Sequence, residues 1–272
     1  YLGTLYSKLF PERVGRFVLD GAVDPTLSSM QQSLQQAAGF DIAFKSFAES
    51  CLLYDECALT KEYIAQLQNK LAEIRKEPIK VGNRKLTESL AMYGIAMGLY
   101  DKEFGWPELR SALKDLFNGD GKSLLSMADT YNRRDAKGNY DSNDASSLPV
   151  ISCDDFPSSE PDVEAIKKAA PIFGKYVAYS DMNCQFLPKP KYELITAPIQ
   201  LQSSVLVIGT SNDPATPYQW AVKLAALLQN SVLISVSGEG HTGYNRDIGC
   251  VDQAVEKYLI SGVIPAQNLA CS

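Results

Sequence analysis

Two apolar segments near the end of the chain, each followed by a polar loop, constrain the fold more than any other feature. Residues 204–208 read Ser-Val-Leu-Val-Ile and lead into a loop that contains Asp213. Tyr218–Leu228 has a helical pattern, and Ser231–Val236 is again apolar before a glycine-rich loop with His241. A strand, a helix and a second strand in this order predict a βαβ unit of a parallel sheet. Both polar loops would then lie at the carboxyl ends of the strands.

The front of the chain predicts a helix and one further strand. Leu2–Phe10 has apolar residues at helical spacing and ends at Pro11, which stops a helix. Arg13–Gly21 predicts a short strand with a turn at its Asp-Gly pair. A parallel strand is not stable alone, so this piece requires neighbouring strands. Because the chain opens without Met and inside a helix, we expect a processed product or one piece of a longer protein.

The middle of the chain has a helical pattern. Asp135–Ser147 is polar and loop-like, and Pro149–Ser152 has the best strand alternation. The remainder predicts an all-helical insertion between two strands of one sheet. Helices are expected over Ser28–Glu49, Thr60–Lys76, Leu86–Tyr100, Pro107–Phe117, Lys122–Arg133 and Glu160–Tyr179.

Composition argues against several classes of partner. The formal net charge of -6 and the pI near 5.0 do not suit a protein that binds nucleic acid or an anionic membrane, since both need basic patches. No apolar run approaches the ~18 residues that span a bilayer. Tyr1–Pro11 lacks the basic start and the long apolar stretch of a signal peptide. We therefore expect a globular protein with no nucleic-acid partner and no membrane span.

The six cysteines predict disulfides rather than a metal site. No two form a Cys-x-x-Cys pair and the chain has a single histidine, so zinc and redox motifs are not expected. Six cysteines allow fifteen pairings, and free thiols in a cytosolic protein are the alternative. Disulfides would indicate an oxidising, exported location. The nearest-neighbour set, in which each bond closes a local loop, is Cys51–Cys57, Cys153–Cys184 and Cys250–Cys271.

An Asp loop followed by a His loop is the order in which an α/β-hydrolase supplies two members of its Ser, Asp, His triad. His241 lies between small residues, a setting that suits contact with a substrate better than a packed core. Asp213 would fix the orientation of that base; the alternative is an ordinary Asx turn before Pro214. Asn212 and Asp247 are weaker candidates for the acid.

The nucleophile is missing from the pattern. No Gly-x-Ser-x-Gly elbow is present in the sequence. Gly209-Thr210-Ser211 comes near it, but Asp213 occupies the position of the final glycine. Ser7 falls inside a predicted helix, and Ser237 precedes the His loop, where the strand order is wrong. None of these serines is a credible nucleophile, and no segment can be assigned to an oxyanion hole.

Several motifs together resemble the secreted tripeptidyl aminopeptidases, which are α/β-hydrolase serine exopeptidases known mainly from actinobacteria and related to prolyl aminopeptidases. Residues 1–25, from Tyr-Leu-Gly-Thr to Val-Asp-Pro, are similar to the segment that directly follows the nucleophile elbow in that family. Ile208–Pro217 is similar to the segment with the family's acid, and Gly240-His241-Thr242 to that with its base. Ser152–Asp155 and Cys184–Pro188 resemble its cap, and Cys250 with Cys271 resembles its closing disulfide.

The resemblance implies an α/β-hydrolase fold with a large inserted helical cap. The implied division is a core segment over 1–25, a cap over 26–190 and a C-terminal core over 191–272. It also implies a secreted or cell-surface bacterial protein and a peptide substrate with a free N-terminus, with no metal or organic cofactor. The nucleophile would lie a few residues before Tyr1, on an upstream fragment of the same precursor that stays associated with this chain.

A substrate with a free N-terminus must have its ammonium group held by carboxylates. The candidates in the cap are Asp154, Asp155 and Glu160 near its exit, and Asp181.

Two other functions stay open. An esterase or lipase would use the same fold and triad, since the cap sets specificity. A non-catalytic fragment with a binding role would account for the absent elbow, although it gives no reason for Asp213 and His241.

Overall fold

The computed structural model describes residues 1–158, 162–177, 184, 186–188, 190 and 193–272. Two of the predicted cap acids, Glu160 and Asp181, lie outside the described residues.

A four-stranded parallel sheet forms the part of the molecule that contains both polar loops. Its strands are β1 (Phe17–Asp20), β4 (Val205–Asn212), β5 (Ser231–Glu239) and β6 (Leu269–Cys271), in the spatial order β1-β4-β5-β6. Each adjacent pair is parallel, with Phe17 opposite Val205 and Val205 opposite Ser231. The apolar run of β4 is fully buried on both faces, as expected of a central parallel strand.

Helices cover both faces of this sheet. On one face α1 (Leu2–Leu9) and α10 (Tyr218–Leu227) enclose a cluster that includes Leu5, Val207 and Leu224. On the other face α11 (Gly249–Ser261) packs Val251, Val255 and Tyr258 against β4 and β5. A short 3₁₀-helix, Pro11–Arg13, connects α1 to β1. The helix and strand predicted at the front of the chain, and the strand, helix and strand predicted near its end, are therefore present.

The described residues between β1 and β4 form a largely helical cap with its own apolar core, which includes Phe44, Phe47 and Leu113. The longest helix, α2, begins with a capping box in which Ser28 accepts from the Gln31 N–H and the Gln31 side chain accepts from the Ser28 N–H. The cap helices are α2 (Ser29–Cys51), α3 (Tyr63–Lys76), α4 (Glu88–Leu99), α5 (Gly105–Phe117), α6 (Lys122–Tyr131), α7 (Asp144–Asp155), α8 (Val163–Ala169) and α9 (Gly174–Val177).

The sequence pattern predicts an all-helical insertion, and this prediction is wrong. The insertion contains an antiparallel hairpin of β2 (Ile79–Val81) and β3 (Arg84–Leu86), joined by a Gly82-Asn83 turn. Gly82 has a φ of +61°, which this two-residue turn requires. The helix predicted over Leu86–Tyr100 begins only at Glu88, because Leu86 pairs in the hairpin and Thr87 caps the helix through a bond from the Leu90 N–H.

Two further predictions in the cap are wrong. Pro149–Ser152, the best strand candidate there, lies inside α7, which also takes the end of the predicted loop Asp135–Ser147. A short apolar run has the same appearance in a strand and in a helix, and no strand among the described residues pairs with it. The helix predicted over Glu160–Tyr179 is divided, in its described part, into α8 and α9 by residues 170–173.

At the C-terminal end the predicted elements are present with longer bounds. β4 continues to Asn212 and β5 to Glu239, because polar residues at both strand ends still pair across a bulge. β6 was not predicted; it is a three-residue edge strand beside β5. The division of the chain at residues 25 and 190 stays a prediction.

Candidate active site

The carboxyl ends of three neighbouring strands bring the candidate catalytic residues together. Asp20 is the last residue of β1, Asp213 directly follows β4, and His241 comes two residues after β5. In open α/β sheets this edge is where ligands bind. The Asp213 and His241 loops, predicted from separate strands, are therefore adjacent.

His241 and Asp213 form a hydrogen-bonded pair. The Nδ1 atom of His241 lies 2.9 Å from Oδ2 and 3.0 Å from Oδ1 of Asp213. Asp213 is buried, with 3% of its surface exposed, whereas His241 is partly exposed. Because a carboxylate only accepts hydrogen bonds, Nδ1–H donates and the Nε2 lone pair is left to act as a base.

Asp213 is also the centre of its own turn. Its Oδ1 accepts from the backbone N–H groups of Ala215 at 2.9 Å and Thr216 at 2.8 Å. The Thr216 hydroxyl donates to Oδ2 at 3.0 Å, and the Thr242 N–H donates to the same oxygen at 3.2 Å. The Asx turn that stood as the alternative to a catalytic role is therefore present together with the bond to His241. These donors fix the position of the carboxylate beside His241.

Asp20 anchors the His loop from the neighbouring strand. Its carboxylate accepts from the Gly243 N–H at 3.0 and 3.1 Å and from the Tyr244 N–H at 2.8 Å. Burial raises the pKa of Asp20, while these backbone bonds and the nearby His241 act in the opposite direction. Gly21 has a φ of +67°, and a Cβ there would lie 3.1 Å from Cε1 of His241. Only glycine fits this close approach without strain.

Residues of the cap hold the other side of the His loop. The His241 N–H donates to the carbonyl of Tyr100 at 2.9 Å, and the Tyr100 ring meets the imidazole edge-on at 5.4 Å. Arg246 donates to the His241 carbonyl at 3.0 Å, to the Thr242 hydroxyl at 3.3 Å and to Asp101 at 3.2 Å. Thr242 has a φ of +69°, which is unusual for a β-branched residue. The arginine thus ties a strained loop to the cap.

The weaker candidates for the acid do not contact the imidazole. The Asn212 amide donates to Glu239 at 2.8 Å. Asp247 is exposed in the wall of the cavity that contains His241. Of the serines weighed as nucleophiles, Ser7 is buried in α1 and donates to the Gly3 carbonyl, and Ser211 bonds to Gly238. Ser237 lies within β5.

The predicted ammonium-binding acids that are described lie at the end of α7. Asp154 is exposed, and Asp155 is partly buried. Burial and the nearby Asp154 raise the pKa of Asp155. Neither is among the lining residues of the cavity around His241 or of the larger cavity beside it. Their role in binding an ammonium group stays a prediction.

The cysteines form the three nearest-neighbour disulfides, with none free among the described residues: Cys51–Cys57, Cys153–Cys184 and Cys250–Cys271. Within the part of the chain that the structure describes, no three His, Cys, Asp or Glu side chains are placed to hold a metal ion. The helices described there are too short or too polar to cross a membrane.

Three residues of the site were not predicted: Asp20, Tyr100 and Arg246. Asp20 had a signal, because it ends a predicted strand parallel to the other two and so lies at the same sheet edge. In the sequence pattern it forms part of an Asp-Gly turn. Tyr100 lies at the end of a cap helix and meets His241 through the tertiary fold, for which the sequence pattern carries no signal.

Comparisons with known proteins agree with this architecture. Residues 170–271 match the family described as TAP-like protein. The chain is 31% identical to the serine protease Hip1 of Mycobacterium tuberculosis, over 99% of this chain and 55% of that protein. It is 33% identical to carboxylesterase B of the same species, over 97% of this chain and 53% of that protein. It is 23% identical to the tripeptidyl aminopeptidase of Streptomyces lividans, over 100% of this chain and 52% of that protein.

These matches confirm the resemblance to the tripeptidyl aminopeptidase family and the α/β-hydrolase fold with a helical cap. The chain spans about half the length of the curated relatives it matches.

Proposed function

We propose that this chain, which resembles the tripeptidyl aminopeptidases and has the α/β-hydrolase fold, supplies the acid and the base of a serine peptidase. The observation that carries the proposal is the Asp213–His241 pair, with a buried carboxylate 2.9 Å from Nδ1. His241 takes the proton of the attacking serine as general base and returns it to the leaving amine as general acid. Asp213 holds the imidazole in the tautomer that this step needs and stabilises the imidazolium.

The nucleophile belongs, in this proposal, to an upstream segment of the same precursor. β1 ends the sheet, and none of the described strands pairs with its free edge. In the adjacent α1 the apolar side chains of Leu2 and Leu9 are exposed, as is that of Phe10, which directly follows the helix. An added parallel strand and its helix would cover both surfaces. We refer to this chain together with that segment as the assembled protein.

The proposed substrate is a peptide with a free N-terminus. The support is the similarity to the tripeptidyl aminopeptidase of Streptomyces lividans over the whole chain. Export to the cell surface or medium is part of the proposal, because disulfides persist in oxidising compartments and the chain forms three. The cap acids Asp154 and Asp155 stay candidates for holding the ammonium group.

The experiment is hydrolysis of a tripeptide anilide by the assembled protein, with a free and with an acetylated N-terminus. We expect the free form to be cleaved faster, and His241→Ala to abolish cleavage of both. Asp154→Asn and Asp155→Asn test the ammonium site separately. If both variants keep the wild-type preference for the free form, that assignment is wrong while the peptidase proposal stands.

An esterase is the second candidate, because a relative of 33% identity is named carboxylesterase B. The Asp213–His241 pair serves ester and amide hydrolysis alike. Rates on a nitrophenyl ester and on the matching peptide anilide separate the two functions. An assembled protein that cleaves only the ester would overturn the peptidase proposal.

A further inference from the structure

A large cavity in the cap adjoins the cavity that contains His241. It has a volume of about 800 Å³, and the cavity around His241 has about 280 Å³. The first volume is within the range of sites that bind small organic molecules. Tyr100, Asp101, Phe104 and Arg246 line both cavities. A group in the large cavity would therefore lie next to the proposed base.

A row of tyrosine rings runs from His241 into this cavity. The Tyr100 ring is edge-on to the imidazole at 5.4 Å, and it contacts the Tyr131 ring at 6.1 Å in a second edge-on arrangement. Tyr131 in turn stacks on Tyr93 at 5.1 Å with 25° between the ring planes. All three tyrosines line the large cavity. This wall offers a continuous aromatic surface for an apolar group.

Several of the apolar side chains around the cavity stay exposed. Phe104 is 77% exposed, Leu148 is 56% exposed and Tyr93 is 43% exposed. Large apolar side chains that gather around one cavity without being buried indicate a binding site. Met97 and Met127 also line it, and methionine adapts its shape to different apolar partners.

The charged residues of the cavity are largely paired with one another. Asp101 lies 3.2 Å from Arg246, and Asp144 lies 3.4 Å from Arg133. The remaining lining carboxylate, Glu108, is exposed. The paired charges leave little net attraction for a cation or an anion. The lining therefore favours a neutral, apolar group over a charged one.

We infer that this cavity, lined by Tyr93, Tyr100 and Tyr131, is a specificity site for an aromatic or long aliphatic side chain. The side chain belongs to a substrate residue next to the scissile bond, because the same tyrosine row contacts His241. The inference rests on the proposed function only in taking the ligand to be part of a peptide substrate. Binding itself needs no serine and can be measured without turnover.

The test uses the 272-residue chain and two neutral probes, N-acetyl-phenylalaninamide and N-acetyl-alaninamide. His241 is the only histidine, so its imidazole gives a single, unambiguous set of NMR resonances. We expect the phenylalanine probe to shift these resonances saturably. The alanine probe is expected to bind at least about tenfold more weakly, since it buries no ring. Equal affinities, or no shift of the His241 resonances, would overturn the inference.

Two variants of exposed lining residues keep the test independent of folding. Tyr93→Ala is expected to weaken the phenylalanine probe about threefold to tenfold by removing one aromatic contact, and Leu148→Asp should weaken it by placing a charge in the wall. Tyr140→Ala is the matched control, because Tyr140 is an exposed tyrosine outside this lining. An unchanged affinity in both lining variants, or an equal loss in the control, would overturn the inference.

The assembled protein separates this result from the proposed function. There, Tyr93→Ala should lower kcat/KM for a phenylalanine peptide relative to an alanine peptide. In the Tyr140→Ala control, the peptide preference and the rate of labelling by a small fluorophosphonate should both stay at the wild-type values. If the fluorophosphonate did not label the wild-type assembled protein, the proposed function would be refuted and the binding result would still stand. Binding that shows no preference would refute the specificity site alone.

Discussion

The two sides of the candidate site are built by different interactions. On the sheet side, the His loop is fixed by hydrogen bonds to two carboxylates, Asp213 and Asp20. On the cap side, the large cavity is enclosed mainly by aromatic and aliphatic side chains, several of them exposed. Directional bonds fix atoms that must transfer a proton, whereas apolar walls adapt to different groups. Substitutions on the sheet side should therefore change the chemistry, and those on the cap side should change which substrates bind.

The largest effect is expected at Asp213. In Asp213→Asn the side-chain amide no longer fixes the His241 tautomer, so kcat of the assembled protein should fall about 10⁴-fold. Asp247→Asn is the control, because Asp247 is an exposed acid in the cavity around His241. Steady-state kinetics on a tripeptide anilide measures both. If Asp247→Asn lost more activity than Asp213→Asn, the assignment of the acid would be wrong.

A smaller effect on the same side is expected at Asp20. Asp20→Asn weakens the charged acceptor of two backbone N–H groups in the His loop, so kcat should fall about 10- to 100-fold with KM nearly unchanged. Asp252→Asn is the matched control, since Asp252 accepts from Asn245 farther along the same loop. Equal losses of kcat in the two variants would mean that any hydrogen bond to the loop stabilises it equally, and that the Asp20 carboxylate has no particular role next to His241.

The smallest effect on activity is expected in the cap at Glu88. Its carboxylate accepts hydrogen bonds from Arg75, Lys175 and Tyr176. These bonds lower the pKa of Glu88 to about 2, and the bond from Arg75 contributes most. The unfolded chain binds more protons than the folded one between pH 2 and the ordinary value of 4.5. The stabilisation is therefore complete above pH 4.5 and lost as the pH falls to about 2.

Glu88→Gln should flatten this pH dependence and leave kcat near neutral pH almost unchanged. The free energy of unfolding, measured with urea at several pH values, follows the effect. Glu77→Gln at the exposed end of α3 is the control. If the free energy of unfolding of Glu88→Gln changed with pH as steeply as that of the wild type between pH 2 and 4.5, Glu88 would not be the cause of this pH dependence.

The same division separates what the sequence could predict from what it could not. The strands that position Asp213 and His241 were predicted because buried parallel strands are continuous apolar runs. The local disulfide pairs were predicted because each closes a short loop. Inside the cap, the run Pro149–Ser152 has the pattern of a strand but is helical. A short apolar run forms a strand only where another strand pairs with it, and no such partner is described there. The tyrosine wall was not predicted because Tyr93 of α4 and Tyr100, which directly follows that helix, meet Tyr131 of α6 only through the tertiary packing of the two helices.

In the proposed enzyme, this chain supplies the acid and the base to a serine on an upstream segment. The most direct measurement is the rate at which a fluorophosphonate labels the assembled protein, followed by intact mass under denaturing conditions. We expect one adduct on the upstream segment, none on this chain, and a labelling rate that collapses in His241→Ala and in Asp213→Asn. An adduct on a serine of this chain, or labelling that does not depend on His241, would contradict this proposal.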